Sequence, residues 1–270
     1  SLKIANQSDT IYNVTYSIDE FSKRSSTNTE SDSLNYALFF GGSFTFGEGL
    51  KESATIPSRF AEYTQGYHSY NFGMPGCGPL QMYTYLKNQL LPEQIQEKNG
   101  LLIFNFIHGH VNRTVGSIRF INTYGKWQPK YELKEGDFIR NGNQFDSYSK
   151  VKQHLFEVLY KSNILDYAGI LDIPLIKEDA YDFTAQFFKA ASQLYQQQFG
   201  NDNFYVVIYP GETNIMIDYF NKYGVKVIDL SHLFGPTENR LHPSDLHPAN
   251  EGNKLYVKAL VKFLEKDFTK

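Results

Sequence analysis

The sequence predicts an α/β domain of three layers, with helices on both faces of a central parallel sheet. Two observations carry this. Five short apolar runs recur along the chain: YALFFGG (36–42), HSYNFGM (68–74), LLIFNFIHG (101–109), FYVVIYP (204–210) and VKVIDLS (225–231). Between and after them lie segments of helical period, at about 54–65, 79–91, 148–160, 176–199, 213–223 and 249–267. The runs are continuously apolar, as strands are when both of their faces are covered, and strands that alternate with helices pair in parallel.

The remaining segments follow in order. TIYNVTYSID (10–19) alternates in strand fashion and is expected to pair onto a sheet edge. Residues 20–35 are polar and rich in Ser and Thr, which reads as a surface connection. Residues 1–35 are therefore expected to form an N-terminal extension and linker, and 36–270 the main domain. Within that domain, 119–147 breaks the alternation and predicts an inserted strand pair, either a surface hairpin or a wall over a site.

Composition narrows the function classes. A chain of 270 residues that is 41% hydrophobic and 16% aromatic has the material for one large core. A net charge of −3 with interspersed signs gives no basic stripe, which argues against nucleic acid and anionic membrane surfaces as partners. Cys77, the single cysteine, rules out an intramolecular disulfide and a cysteine-based zinc site. No apolar run reaches bilayer-spanning length and residues 1–10 lack a signal-peptide core, so the chain as it stands reads as soluble. The polar N-terminal extension reads as the continuation of an exported or membrane-tethered parent.

In a parallel sheet, ligands bind beyond the carboxyl ends of the strands. The first run delivers Gly41-Gly42-Ser43 there, the second Gly73 and Gly76, the third His108, His110 and Asn112, and the last loop, 233–252, Asp245 and His247. A serine hydroxyl becomes a nucleophile when a base takes its proton and an acceptor orients that base. Ser43, His247 and Asp245 supply those three parts. Backbone N–H groups near Gly73 and Gly76, with the Asn112 side chain, supply donors for an oxyanion. Each part also has a plain reading: Ser43 as a helix-entry turn residue, His247 as a helix-entry residue, Asp245 as a cap. Their meeting at the ends of separate strands is what points to acyl transfer.

Taken together, these residues resemble the SGNH (GDSL-like) hydrolases over about 36–266. FFGGSFTFGEG (39–49) resembles the first block, with Ser43 as nucleophile and its own N–H in the oxyanion hole. NFGMPGCGP (71–79) resembles the second, with Gly76 as backbone donor. HGHVNR (108–113) resembles a degenerate third, with Asn112 as side-chain donor, and DLHPANEGNKLYVKAL (245–260) the last, with His247 as base. The resemblance implies a flavodoxin-like fold, a serine esterase or acyltransferase activity and no cofactor. Three departures stand out. Gly42 occupies the family's aspartate position, Asp245 lies two residues before His247 where the family has three, and His110 and Arg113 replace a glycine and an aspartate. His242, also before a proline, is a rival base.

The function expected is therefore serine-dependent hydrolysis or transfer of an O-acyl group. The substrate is a small-molecule or glycan ester, with Tyr124, Trp127 and Tyr131 of the insert suited to sugar rings. The alternative is a family member with impaired catalysis that binds an acylated glycan or a protein. A metal hydrolase built on His108, His110 and His247 lacks the usual ligand spacing.

Overall fold

In the computed structural model, which describes residues 1–5, 9–27, 35–168, 170–172 and 177–268, the chain opens with an antiparallel hairpin, β1 (Leu2–Ala5) and β2 (Asp9–Asn13). The five apolar runs follow as β3 (Asn35–Gly41), β4 (Tyr67–Gly73), β5 (Asn99–Phe106), β8 (Phe204–Ile208) and β9 (Lys226–Asp229). They form one parallel sheet in the order β4-β3-β5-β8-β9. Two antiparallel ribbons complete the strands, β6 (Pro129–Lys134) with β7 (Asp137–Asn143) and β10 (Arg240–His242) with β11 (Asp245–Pro248).

The three layers are the ones the sequence predicts. Successive residues of a strand point to opposite faces, so a continuously apolar strand feeds two cores. Tyr36, Leu38 and Phe40 of β3 pack with Leu102, Phe104 and Phe106 of β5 toward one face, where Leu80, Tyr83 and Phe187 of the helices Pro79–Lys87 and Lys177–Phe199 lie. Ala37 and Phe39 pack with Leu101 and Ile103 toward the other, against Ile56 and Phe60 of Ile56–Tyr63 and Val257 and Leu260 of Asn250–Phe268. Each fully buried Phe or Leu contributes about 1.5–3 kcal/mol of transfer free energy, so the alternation is decisive for the sheet's register.

Two expectations change. Residues 9–13 pair with 2–5 and not with the sheet edge. The edge strand β4 is bridged at Asn71 by Arg24 instead. The alternating tyrosines of this segment find their partners in the loop after β3: Tyr12 donates to Glu48 (2.9 Å), and Tyr16 accepts from the Gly49 N–H (2.8 Å). The insert at 119–147 does hold a strand pair, but only over β6 and β7; Ile118–Phe120 and Ile121–Gly125 are helical. Residues 28–34 of the connection lie outside the described residues.

Numbered by their order in the chain, the parallel strands stand second, first, third, fourth, fifth across the sheet. The winding therefore reverses between β3 and β5, and this switch point opens a crevice at their carboxyl ends. Ser43 follows β3 by two residues and His108 follows β5 by two.

Candidate active site

The turn after β3 is a single helical turn, Ser43–Phe46, pinned from beneath. Thr45 Oγ1 accepts from Asn105 Nδ2 of β5 (2.9 Å), and Asn105 Oδ1 in turn accepts from the Tyr256 hydroxyl of the last helix. All three are buried. Arg24, 2% exposed, donates to the carbonyls of Phe46 (2.8 Å), Gly47 (2.5 Å) and Leu50 (2.5 Å). Gly73 closes the packing: a Cβ there would stand 2.3 Å from the Phe46 nitrogen, a backbone clash. The Gly73 N–H is bonded to Asn71 Oδ1 (3.0 Å), so this expected oxyanion donor is already committed inside the strand end.

Ser43 opens the helical turn, so its N–H has no intrahelical acceptor. Among the described residues, nothing hydrogen-bonds its hydroxyl. The Phe44 ring sets an edge against the His247 imidazole, centroids 5.5 Å apart, which brings the last loop to this turn.

On β11, Asp245 and His247 are two apart and share a face, so the shortened spacing still joins them. Asp245 Oδ1 accepts from the His247 backbone N–H (2.9 Å) and lies 2.6 Å from its ring Nδ1. Asp245 Oδ2 pairs with Lys3 Nζ at 2.7 Å. Burial at 3% exposure pushes this carboxyl up, but the hydrogen bonds from Lys3 and from His247 hold it at about 2, ionised throughout the neutral range. The other ring nitrogen, Nε2, lies 3.5 Å from Glu48 Oε2. His242, the rival base, lies 2.7 Å from Ser244 Oγ at the tip of the β10–β11 ribbon.

On the opposite side stand the second and third loops. Gly76 has φ +75°, which an L side chain rarely adopts, and Tyr124 packs directly against it. Gln128 Nε2 donates to the Gly76 carbonyl (3.1 Å). Asn112 lies on the helix Gly109–Val115, half-buried, and its side chain makes no hydrogen bond among the described residues. Its neighbour Arg113 donates to the Cys77 carbonyl. A Cβ on Gly42 would meet Arg113 Nη1 at 2.7 Å, the Cys77 carbonyl oxygen at 3.3 Å and His110 Nε2 at 3.4 Å, so these groups fill the space beside Gly42. Burial, then the nearby Arg113 charge, lower His110 well below the ordinary histidine range, so it is neutral at pH 7. Its Nδ1 accepts from the Ile107 N–H (3.1 Å), which assigns the proton to Nε2.

Tyr131 is 5% exposed and packs on Tyr83 and Phe187, so it belongs to the core and not to a sugar platform. Tyr124 and Trp127 are 67% and 70% exposed. Two clefts, of about 380 Å³ beside β4 and about 430 Å³ under the β6–β7 ribbon, take in neither Ser43 nor His247. No group of three or more His, Cys, Asp or Glu among the described residues is placed to hold a metal ion. Among the described residues no helix is long and apolar enough to cross a membrane.

Sequence reasoning passed over Arg24, Asn105, Lys3 and Glu48. Asn105 left a signal, a polar residue inside an apolar strand, which the fold must satisfy with partners. Arg24 sits in an ordinary polar stretch, Lys3 between two apolar residues and Glu48 inside the glycine-rich first motif, and none of the three residue types names its distant partner.

No protein-family profile matches the chain, and no curated protein matches it. Among solved structures it is similar to an acetyl xylan esterase from the rumen bacterium Butyrivibrio proteoclasticus, with a TM-score of 0.51 and 13% identity over 90% of this chain and 66% of that one. This chain thus spans just under two thirds of that protein's length. Two further likenesses are a carbohydrate acetylesterase from Sinorhizobium meliloti (TM-score 0.44, 10% identity, 86% of this chain and 99% of that one) and the aryl esterase of M. smegmatis (0.46, 10%, 86% and 99%). The first likeness establishes a shared three-layer α/β fold.

Proposed function

We propose that the protein is a serine esterase or acyltransferase acting on an O-acyl ester, with Ser43 as nucleophile, His247 as general base and Asp245 as its orienter. The observation that supports this most is the buried, ionised Asp245 held 2.6 Å from His247 Nδ1 beside the turn that carries Ser43. A carboxylate so placed selects the tautomer whose Nε2 lone pair is free to take a proton. Ser43 Oγ then attacks the ester carbonyl while His247 Nε2 accepts the hydroxyl proton. The carbonyl oxygen takes up negative charge, and the N–H groups of Ser43 and Gly76 with the Asn112 amide are the donors assigned to it. Collapse of the tetrahedral intermediate breaks the bond to the alcohol, which leaves with the proton from His247. Water, or a second hydroxyl in a transfer reaction, releases the acyl group by the same steps in reverse. Fixed donors of this kind are worth roughly 3–4 kcal/mol each in the transition state.

The alcohol is assigned to carbohydrate because Tyr124, packed on the Gly76 loop, and the neighbouring Trp127 offer exposed ring faces beside the oxyanion side. The test is acetate release from p-nitrophenyl acetate and from acetylated xylan by the wild type and by Ser43→Ala. Turnover on both substrates that disappears in Ser43→Ala is the expected result. Turnover that survives in Ser43→Ala would overturn the assignment of the nucleophile. Absence of turnover on either ester would shift the reading to a protein that binds acylated glycans.

A further inference from the structure

We propose that the N-terminal hairpin β1–β2 is part of the active site, with Lys3 and Tyr12 as positioning residues that act through Asp245 and Glu48 to fix the His247 imidazole between two carboxylates. The proposal rests on the reading of His247 as the general base.

The hairpin is built inside out. Leu2 and Ile4 are 57% and 52% exposed, while Lys3 between them points inward to a carboxylate. Alternation along a strand normally buries the apolar face and exposes the charge. A hairpin docked for stability alone has no reason to reverse that pattern. Here the inward face carries a cation and a phenol, and each reaches one carboxylate beside the imidazole. Lys3 Nζ holds Asp245 Oδ2 at 2.7 Å, which leaves Oδ1 for the His247 ring. Tyr12 donates to Glu48 Oε1 at 2.9 Å, which turns Oε2 toward His247 Nε2.

The two contacts on the ring differ in kind. At 2.6 Å, Asp245 makes a short hydrogen bond to Nδ1. At 3.5 Å, Glu48 is beyond a strong hydrogen bond and acts on Nε2 through its charge, leaving that nitrogen open to the serine. Burial and then the bond to Glu48 push the Tyr12 hydroxyl up, so it stays a donor at working pH. The hydrogen bond to Asp245 holds the Lys3 ammonium above its ordinary value, so it stays a cation. Of the other charged or titratable groups packed nearby, the Ser1 ammonium and Tyr16 act on Tyr12, Tyr124 acts on Lys3, Arg240 of β10 lies over the Phe44 ring and His242 is held at Ser244. The imidazolium formed when His247 takes the serine proton therefore meets two carboxylates, one of them offset by Lys3. Too much negative charge would keep the ring protonated and idle, and too little would leave the imidazolium unsupported. The hairpin sets that balance.

The experiment follows the His247 imidazole directly, by NMR titration of the whole chain with His247→Asn to assign the signal, in Lys3→Met, Lys3→Arg, Glu48→Gln and Tyr12→Phe. Removing the Lys3 cation leaves both carboxylates uncompensated, so Lys3→Met should move the midpoint up by about 0.5–1 pH unit. Glu48→Gln should move it down by a similar amount, Lys3→Arg should leave it in place, and Tyr12→Phe, which frees Glu48, should shift it down by less. The acid limb of kcat/KM should follow, with Lys3→Met losing about three- to tenfold below the midpoint and nothing well above it. Midpoints that stay put, or that move the same way in Lys3→Met and Glu48→Gln, would overturn the proposal. Thermal melts check folding, and if Lys3→Met fails to fold, the Glu48→Gln and Tyr12→Phe midpoints decide. Opposed midpoints in a protein without esterase activity would uphold the hairpin's role and refute the proposed reaction instead.

Discussion

The turn at Ser43 is held from inside the protein, whereas the loop at His247 is held from its surface. Beneath Ser43 lie Thr45, Asn105 and Tyr256, all buried, and Arg24 spans three carbonyls, at the end of that turn and in the loop that follows it. His247 sits on a short ribbon with two paired positions, and its fixed partners are charges: Asp245, and behind it Lys3, 41% exposed. The difference follows from the roles proposed for the two groups. A nucleophile needs a fixed place, which close packing and buried hydrogen bonds supply. A base needs a tuned proton affinity, which neighbouring charges supply and which small changes in the partly exposed Lys3 adjust.

Substitutions can break or sharpen this contrast. The largest effect is expected at Asp245. Asp245→Asn keeps the shape but loses the charge and permits the wrong imidazole tautomer, so kcat should fall by about 10³–10⁴-fold. The melting temperature should fall modestly, since the ionised carboxylate's pairing with Lys3 is lost while the amide oxygen can still accept from the His247 N–H and Lys3 is partly solvated. A large loss of stability with kcat preserved would mean that the His247 loop is structural, and the contrast would fail.

Arg24→Met should show the reverse balance. It strips donors from three carbonyls and should cost about 3 kcal/mol, or roughly 6–10 °C in melting temperature for a domain of this size. Arg24→Lys should not restore it, since one ammonium cannot serve three carbonyls in the guanidinium's geometry. A melt that matches the wild type would show that the Ser43 turn is secured elsewhere.

The smallest effect is expected at Gly42. In Gly42→Asp the new Cβ meets the far end of Arg113, a flexible group that can move aside and pair with the carboxylate. Stability should change by less than about 1 kcal/mol, and kcat/KM from steady-state assays should change little. A tenfold gain in kcat/KM would mean that the turn is loose as it stands and that Arg113 is an imperfect filler.

Legibility in the sequence follows the range of the interactions. The three inner strands are readable because each is a nearly contiguous apolar run, the two edge strands because apolar residues recur in them between polar ones, and the helices because their period is local. Ser43, Asp245 and His247 were readable as chemistry because their types and their positions after strands are themselves sequence features. The strand at 10–19 was partly misread, since alternation reports a half-buried strand but not which surface it meets. Tyr131, grouped with Tyr124 and Trp127 as suited to sugar rings, packs into the core while they do not. An aromatic residue in a ribbon looks the same from sequence whichever face it takes. Arg24 lies in a polar stretch and Lys3 in an alternating one, and both look like ordinary surface charges in the sequence.

The sequence by itself determined the three layers, the parallel alternation of strands and helices, and which residues follow the strand ends. Those depend on periodicity and on chain order, which are written along a single chain. Only the tertiary structure decided which carboxylates face His247, that Gly73 is a packing residue and not an oxyanion donor, and that Arg113 and His110 fill the space beside Gly42. These are contacts between segments as far apart as residues 3 and 245, and their angstrom-scale distances, which set the strength of every charge and hydrogen bond involved, exist only once the chain has closed on itself.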